Sequence, residues 1–221
     1  MHSLQSPSWL LWNLFLAVSS VPIGYLLSWW GADMYRKVNK LVWFLILIIL
    51  ALVWMAFLPN SCYLITEWRH LFFDRTLLQM RIGAVSGMDQ LSVARIGLFF
   101  LLYSLIGVFL FGASIRPVDR MLRVRGVHPG LLAIPFFFFI SLGVYLGLIV
   151  RLNSWKIVTS PMIVVHDSQR ALESNTLLKV IAIFAVLLWV LYECVDIFFI
   201  GLNVKFGHSA SNGASARKKR N

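Results

Sequence analysis

The sequence predicts an all-α, polytopic helical membrane protein, with about five transmembrane helices and an interfacial helix after the second. Three observations carry that prediction. Only 13% of the 221 residues are charged and 59% are hydrophobic, whereas roughly a quarter of a soluble domain is charged. Four windows, Trp9 to Trp30, Leu41 to Thr66, Ile96 to Ile115 and Leu131 to Val150, contain no Asp, Glu, Lys or Arg. Each supplies the ~20 residues that cross a hydrocarbon core. A fifth apolar stretch runs from Thr176 to about Leu202, interrupted by Lys179, Glu193 and Asp196. Lys179 is close enough to its start for the ammonium to reach the interface.

The expected organisation is a single transmembrane domain over residues 1–206, with helices at about 9–30, 41–58, 91–115, 131–150 and 177–202. Residues 207–221 form a small-residue tail ending Arg217-Lys218-Lys219-Arg220, for which disorder is the default. Helix one carries Pro22 and Ser19-Ser20 near its middle, the composition of a kink, and has Trp at both ends, as interfacial belts do. Helix two is apolar on every side and ends at Pro59. From Tyr63 to Arg81, helical spacing would set Tyr63, Glu67, His70, Asp74 and Arg81 on one stripe, the pattern of a helix lying in the interface. Helix three has Arg95 one turn inside its start. Helix four holds Gly143 and Gly147 at GxxxG spacing, read as a close packing of two backbones within the chain.

Counting Lys and Arg sets the expected orientation. With five helices, twelve fall on the side of Arg36, Arg116 to Arg125 and the C-terminus, and eight on the side of Arg69 and Arg151. The richer side is expected in the cytoplasm, which places the N-terminus outside and the protein in the plasma membrane. No Lys or Arg precedes helix one, which favours an uncleaved anchor over a signal peptide. The net charge of +11 therefore reflects topology, and nucleic acid is not an expected partner. The bilayer is, along with a protein in the membrane. Cys62 and Cys194 lie at opposite ends of this topology and imply no disulfide.

Polar chemistry concentrates in two outer connections. Glu67-Trp68-Arg69-His70 sets a carboxylate and an imidazole three residues apart, so both can meet one metal from a helix face. His166, Asp167 and Asp89 are the residues that would complete such a site. General acid/base work by Glu67, His70 and Asp89 is a second reading, and a structural hydrogen-bonded network is the third and favoured one. Asn60, Tyr63, Thr66, Arg151, Asn153, Ser154 and Trp155 are candidate binding residues. Asn60 and Asn153 equally suit helix capping, and Arg151 either snorkels or grips a carboxylate or phosphate. Glu193 and Asp196, one turn apart near the cytoplasmic end of helix five, are expected to pair with the arginines of the third connection. No nucleophile elbow, phosphate loop, paired CxxC or dinucleotide fingerprint is present in the sequence.

Leu58-Pro59-Asn60, Tyr63, Thr66-Glu67 and His70, followed about 80 residues later by Arg151, Asn153-Ser154-Trp155 and Pro161, resemble the uncharacterised bacterial membrane family called domain of unknown function 1361. Gly143 and Gly147 precede the second motif. The similarity covers about Leu41 to Leu202. The family has Asp where this chain has Glu67, which keeps the carboxylate, and an acid where this chain has Lys156, which reverses a charge. The resemblance implies a multi-pass membrane protein and no known activity. Three readings of the function stay open: an accessory or interaction protein, a membrane enzyme acting on a lipid-linked or envelope substrate, and a small transporter.

Overall fold

A computed structural model describes residues 7–66, 87–127, 129–150, 152 and 159–218. Among these, every regular element is a helix: α1 Pro7–Asp33, α2 Lys40–Phe57, α3 Pro59–Thr66, α4 Gly87–Val124, α5 Pro129–Leu148, α6 Pro161–Glu173 and α7 Asn175–Lys218. Four stretches are long and apolar enough to span a bilayer, Leu10–Asp33, Lys40–Thr66, Gln90–Val124 and Asn175–Leu202, and Leu132–Leu148 is a shorter apolar helix. The chain is thus an all-α polytopic membrane protein.

Several boundaries differ from those expected. Helix α4 does not end near residue 115 but passes through Pro117 to Val124, so most arginines of the third connection are helical. A guanidinium does not stop a helix when acceptors lie beside it, and Arg116 and Arg123 both find carboxylates. Helix α7 continues through the small-residue tail to Lys218, where disorder was expected. The second polar connection contains a helix of its own, α6, whose Ala171 packs inward while Met162, Ile163 and Val165 stay exposed. Past Thr66, the helix expected after α2 lies outside the described residues.

The largest change concerns α2 and α3. Pro59 has no backbone N–H to continue the helical ladder, and in hydrocarbon the carbonyls freed by such a break need internal partners. The next two residues place side-chain donors on carbonyls beside the break. Asn60 Nδ2 donates to the Phe57 carbonyl at 2.9 Å and Ser61 Oγ to the Leu58 carbonyl at 2.7 Å. The segment that follows packs into the bundle instead of leaving it. Pro59, Asn60, Ser61, Cys62, Leu64 and Ile65 are all buried.

Room for α3 comes from glycines on its neighbours. A Cβ at Gly107 of α4 would stand 2.6 Å from Leu64 Cβ and 2.9 Å from the Ser61 carbonyl oxygen. On the other side, a Cβ at Gly143 of α5 would meet Pro59 Cγ at 3.0 Å, and one at Gly147 would overlap the Tyr63 hydroxyl. The GxxxG pair therefore receives α3 within the same chain, as its spacing suggested.

Short polar side chains tie the other seams. Trp54 Nε1 donates to Ser114 Oγ at 2.8 Å, and Ser114 Oγ donates to the Ser20 carbonyl at 2.8 Å, joining α2, α4 and α1. Ser28 Oγ reaches the Pro117 carbonyl and Ser141 Oγ the Ile181 carbonyl, both from helix to helix. Lipid is as apolar as leucine, so interhelical bonds and close packing must substitute for hydrophobic burial. Outward faces are accordingly apolar, with Leu52, Ile134 and Ile183 among the most exposed side chains.

Candidate functional site

The candidate residues of the first motif divide at Thr66. Asn60 is buried and bonded to Phe57, Tyr63 packs against Gly147, and Thr66 Oγ1 donates to the Tyr63 carbonyl at 3.0 Å. Each of these contacts is local or structural. Glu67 and His70 lie outside the described residues, as do Arg151, Asn153, Ser154 and Trp155. Asp89 stands in the first turn of α4. His166 is exposed on α6, its Nδ1 3.8 Å from Asp167 Oδ1, and among the described residues no three or more potential ligands gather as a metal site. Because Tyr63 rests on Gly147, the ends of α3 and α5 are neighbours. The chain therefore enters both motif-bearing connections from adjacent points.

A second polar region lies at the other end of the bundle, where α4 runs toward Val124 and α5 begins. Arg116 Nε donates to Asp196 Oδ1 at 2.8 Å, with the two side chains only 11% and 16% exposed. This is the pairing expected for Asp196. The Arg116 guanidinium also lies 4.8 Å from the Phe199 ring centre, a cation–π position. Asp119 is buried and accepts from Arg123 Nε at 2.9 Å, one turn along α4. Glu193 accepts from Trp189 Nε1 at 3.0 Å on its own helix, and among the described residues it makes none of the arginine pairing expected for both acids.

Between α4, α5 and α7, Asp119, Arg123 and Glu193 border a cleft of about 650 Å³, a size that holds a small ligand. Its walls include Trp54, Phe136, Phe137 and Phe139, and its polar lining is Asp119, Arg123, Tyr192 and Glu193, with the indole of Trp189. The aromatic walls are mutually braced: Trp54 stacks on Phe136 at 5.4 Å and Phe137 lies 6.0 Å from Tyr192. Tyr192 is 4% exposed, yet its hydroxyl has no hydrogen-bond partner of good geometry among the described residues. The Asp119 carboxylate is its nearby acceptor, and a group entering the cleft could offer the hydroxyl a bond of better geometry. The arrangement is an apolar slot with hydrogen-bonding and charged groups along one part of its lining, suited to holding an amphipathic molecule.

Sequence reasoning passed over this cleft. Asp119 stood out only as one acid among arginines, although Asp119 and Arg123 at i and i+4 inside an apolar helix signal a partly buried pair. Tyr192 and the four phenylalanines from Phe136 carry no signature that separates a slot from ordinary core packing.

Compared with known families, the chain from residue 12 to 190 matches the family described as protein of unknown function (DUF1361). No curated protein and no solved structure matches it.

Proposed function

The chain belongs to the DUF1361 family, and we propose that it acts as a membrane accessory protein that binds an amphipathic, lipid-like molecule in the cleft between α4, α5 and α7. The observation that carries this reading is the buried Tyr192 hydroxyl, close to the Asp119 carboxylate but without a hydrogen bond of good geometry, in a slot walled by Trp54, Phe136 and Phe137. An apolar chain would occupy the aromatic part, and a polar head would meet Tyr192, Glu193 and the Asp119–Arg123 pair. The α3 helix serves this reading as scaffold, because it braces α4 against α5 at Gly107 and Gly143. On the orientation given by the basic residues, the cleft opens in the cytoplasmic half of a plasma membrane.

The test is native mass spectrometry of the protein released from detergent, with lipids identified by fragmentation, on wild type, Tyr192→Phe and Phe137→Ala. A single retained molecule that is lost in both variants supports binding. Retention unchanged in both ends the proposal.

A second reading places a polar site, catalytic or binding, on the opposite and non-cytoplasmic face. It draws support from the Tyr63–Gly147 contact, which starts the segments holding Glu67, His70, Arg151 and Asn153 from adjacent helix ends. Paired cysteines replacing Glu67 and Arg151 test it. A disulfide under mild oxidation supports a shared site, and two freely alkylated thiols sink it.

A further inference from the structure

A second cleft, of about 470 Å³, lies on the other side of α4. Residues Ile115, Val118, Asp119 and Leu122 line the first cleft, whereas Arg116, Pro117, Arg120 and Val124 line the second. At 100° per residue these two sets point in opposite directions. The second cleft is closed on its far side by the end of α1, with Tyr25, Ser28, Trp29 and Asp33.

Its chemistry is weighted to donors. Three guanidiniums, Arg116, Arg120 and Arg125, line it, with the single carboxylate of Asp33. Asp196 occupies only Nε of Arg116, and Arg116 Nη2 is buried with no acceptor among the described residues. Arg125 is held in place: it donates to the Gly31 carbonyl and lies 5.3 Å from both the Tyr35 and Trp43 ring centres. Arg120 is exposed and makes no ion pair among the described residues. With Arg125 pre-positioned and Arg120 unpaired among the described residues, this cationic lining suits an oxyanion with several acceptor oxygens. Trp29 and Tyr25, exposed at 47% and 60%, border it at the end of a bilayer-crossing helix, where aromatic side chains seat in the headgroup layer.

We propose that this cleft is a binding site for a phosphate group, held by Arg116, Arg120 and Arg125 at the end of α1 and α4. Guanidinium groups match phosphate oxygens by paired hydrogen bonds. Basic pockets between membrane helices recognise anionic headgroups through the same chemistry. The phosphate belongs either to an anionic lipid headgroup or to a soluble phosphate. The site is independent of the amphipath cleft, since Tyr192 and Phe137 do not line it.

The experiment uses the full chain in detergent, titrated separately with phosphatidic acid, phosphatidylglycerol, phosphatidylcholine and inorganic phosphate, with binding read by native mass spectrometry. The variants are Arg120→Gln and, as a control at the opposite end of α4, Arg95→Gln; both positions are exposed. The expected result is that an anionic ligand binds in preference to phosphatidylcholine, and that Arg120→Gln weakens it roughly fivefold, the effect of one basic residue near an anionic surface. Arg95→Gln leaves it unchanged. Preference for the anionic lipids over inorganic phosphate identifies a headgroup, and tight inorganic phosphate binding weakened in Arg120→Gln identifies a soluble source. Equal binding of all four probes, or equal loss in both variants, overturns the proposal. Because Tyr192→Phe leaves this site intact, failure here and failure of the amphipath cleft are read separately.

Discussion

Replacing Gly107 by alanine tests whether α3 is clamped between its neighbours. The new Cβ would lie 2.6 Å from Leu64 Cβ, 2.9 Å from the Ser61 oxygen and 3.1 Å from the Ile65 nitrogen. None of these atoms can move by a rotamer change. Nor can α3 withdraw as a unit, because Pro59 and Tyr63 already press on Gly143 and Gly147 behind it. Overpacking a well-packed interior costs roughly 1–3 kcal/mol, and rigid neighbours on both sides put this site at the upper end. Alanine recovers about 1 kcal/mol of helix propensity over glycine, which leaves a net loss of about 1–2 kcal/mol. Gly201→Ala is the control, since nothing lies within 4 Å of a Cβ there; the same propensity term should leave it neutral or slightly more stable. Stability is read by SDS titration in mixed micelles. Local opening is read by alkylation of Cys62, a buried thiol within α3, in a Cys194→Ser background. If Gly107→Ala unfolds at the wild-type SDS concentration with Cys62 equally protected, the clamp does not exist.

Further expectations concern the seams and the thiols. Trp54→Phe removes the donor to Ser114 and should cost ~0.6 kcal/mol and at most ~1.7 in the same titration; combined with Ser114→Ala it should cost less than the sum of the two. Asp196→Asn leaves Arg116 without its carboxylate in a site where both side chains are under a fifth exposed, so a loss of about 3–5 kcal/mol is expected. A double change of Arg116 and Asp196 to leucine should recover most of it, and no recovery would show that the pair itself is not the source of the cost. Native protein treated with membrane-permeant maleimide should be modified at Cys194, which is exposed, and at Cys62 only after denaturation. Modification of both thiols in native protein would contradict the burial of α3. This burial also disqualifies Cys62 as a reporter of sidedness.

Much of the bundle was legible because spanning a membrane is a local property. A run of uncharged apolar residues declares itself wherever it sits: four of the expected spans fall on helices long enough to cross a bilayer, and the fourth in order falls on a shorter apolar helix. Asp196 was legible for a related reason, since an acid inside such a helix requires a cation and the arginines of the third connection were near in depth. The path of Pro59 to Thr66 was not legible. Asn60, Ser61 and Thr66 look like residues leaving the bilayer, yet their side chains are spent on carbonyls one turn back. What admits the segment is the absence of side chains at Gly107, Gly143 and Gly147, tens of residues away. The capping reading of Asn60 survives, in a different setting. The Tyr192 cleft was hidden in the same way, since a slot is the gap between three helices and belongs to the sequence of none.

The Arg116–Asp196 bond spans 80 residues and links α4 to α7. Until the ribosome has delivered α7, Arg116 sits near the end of a bilayer-crossing helix without the carboxylate that neutralises it, and Asp196 arrives to find its partner already waiting. Arrival of α7 thus neutralises a charge that an unfinished chain still carries. A chain truncated before residue 196 keeps that charge unpaired.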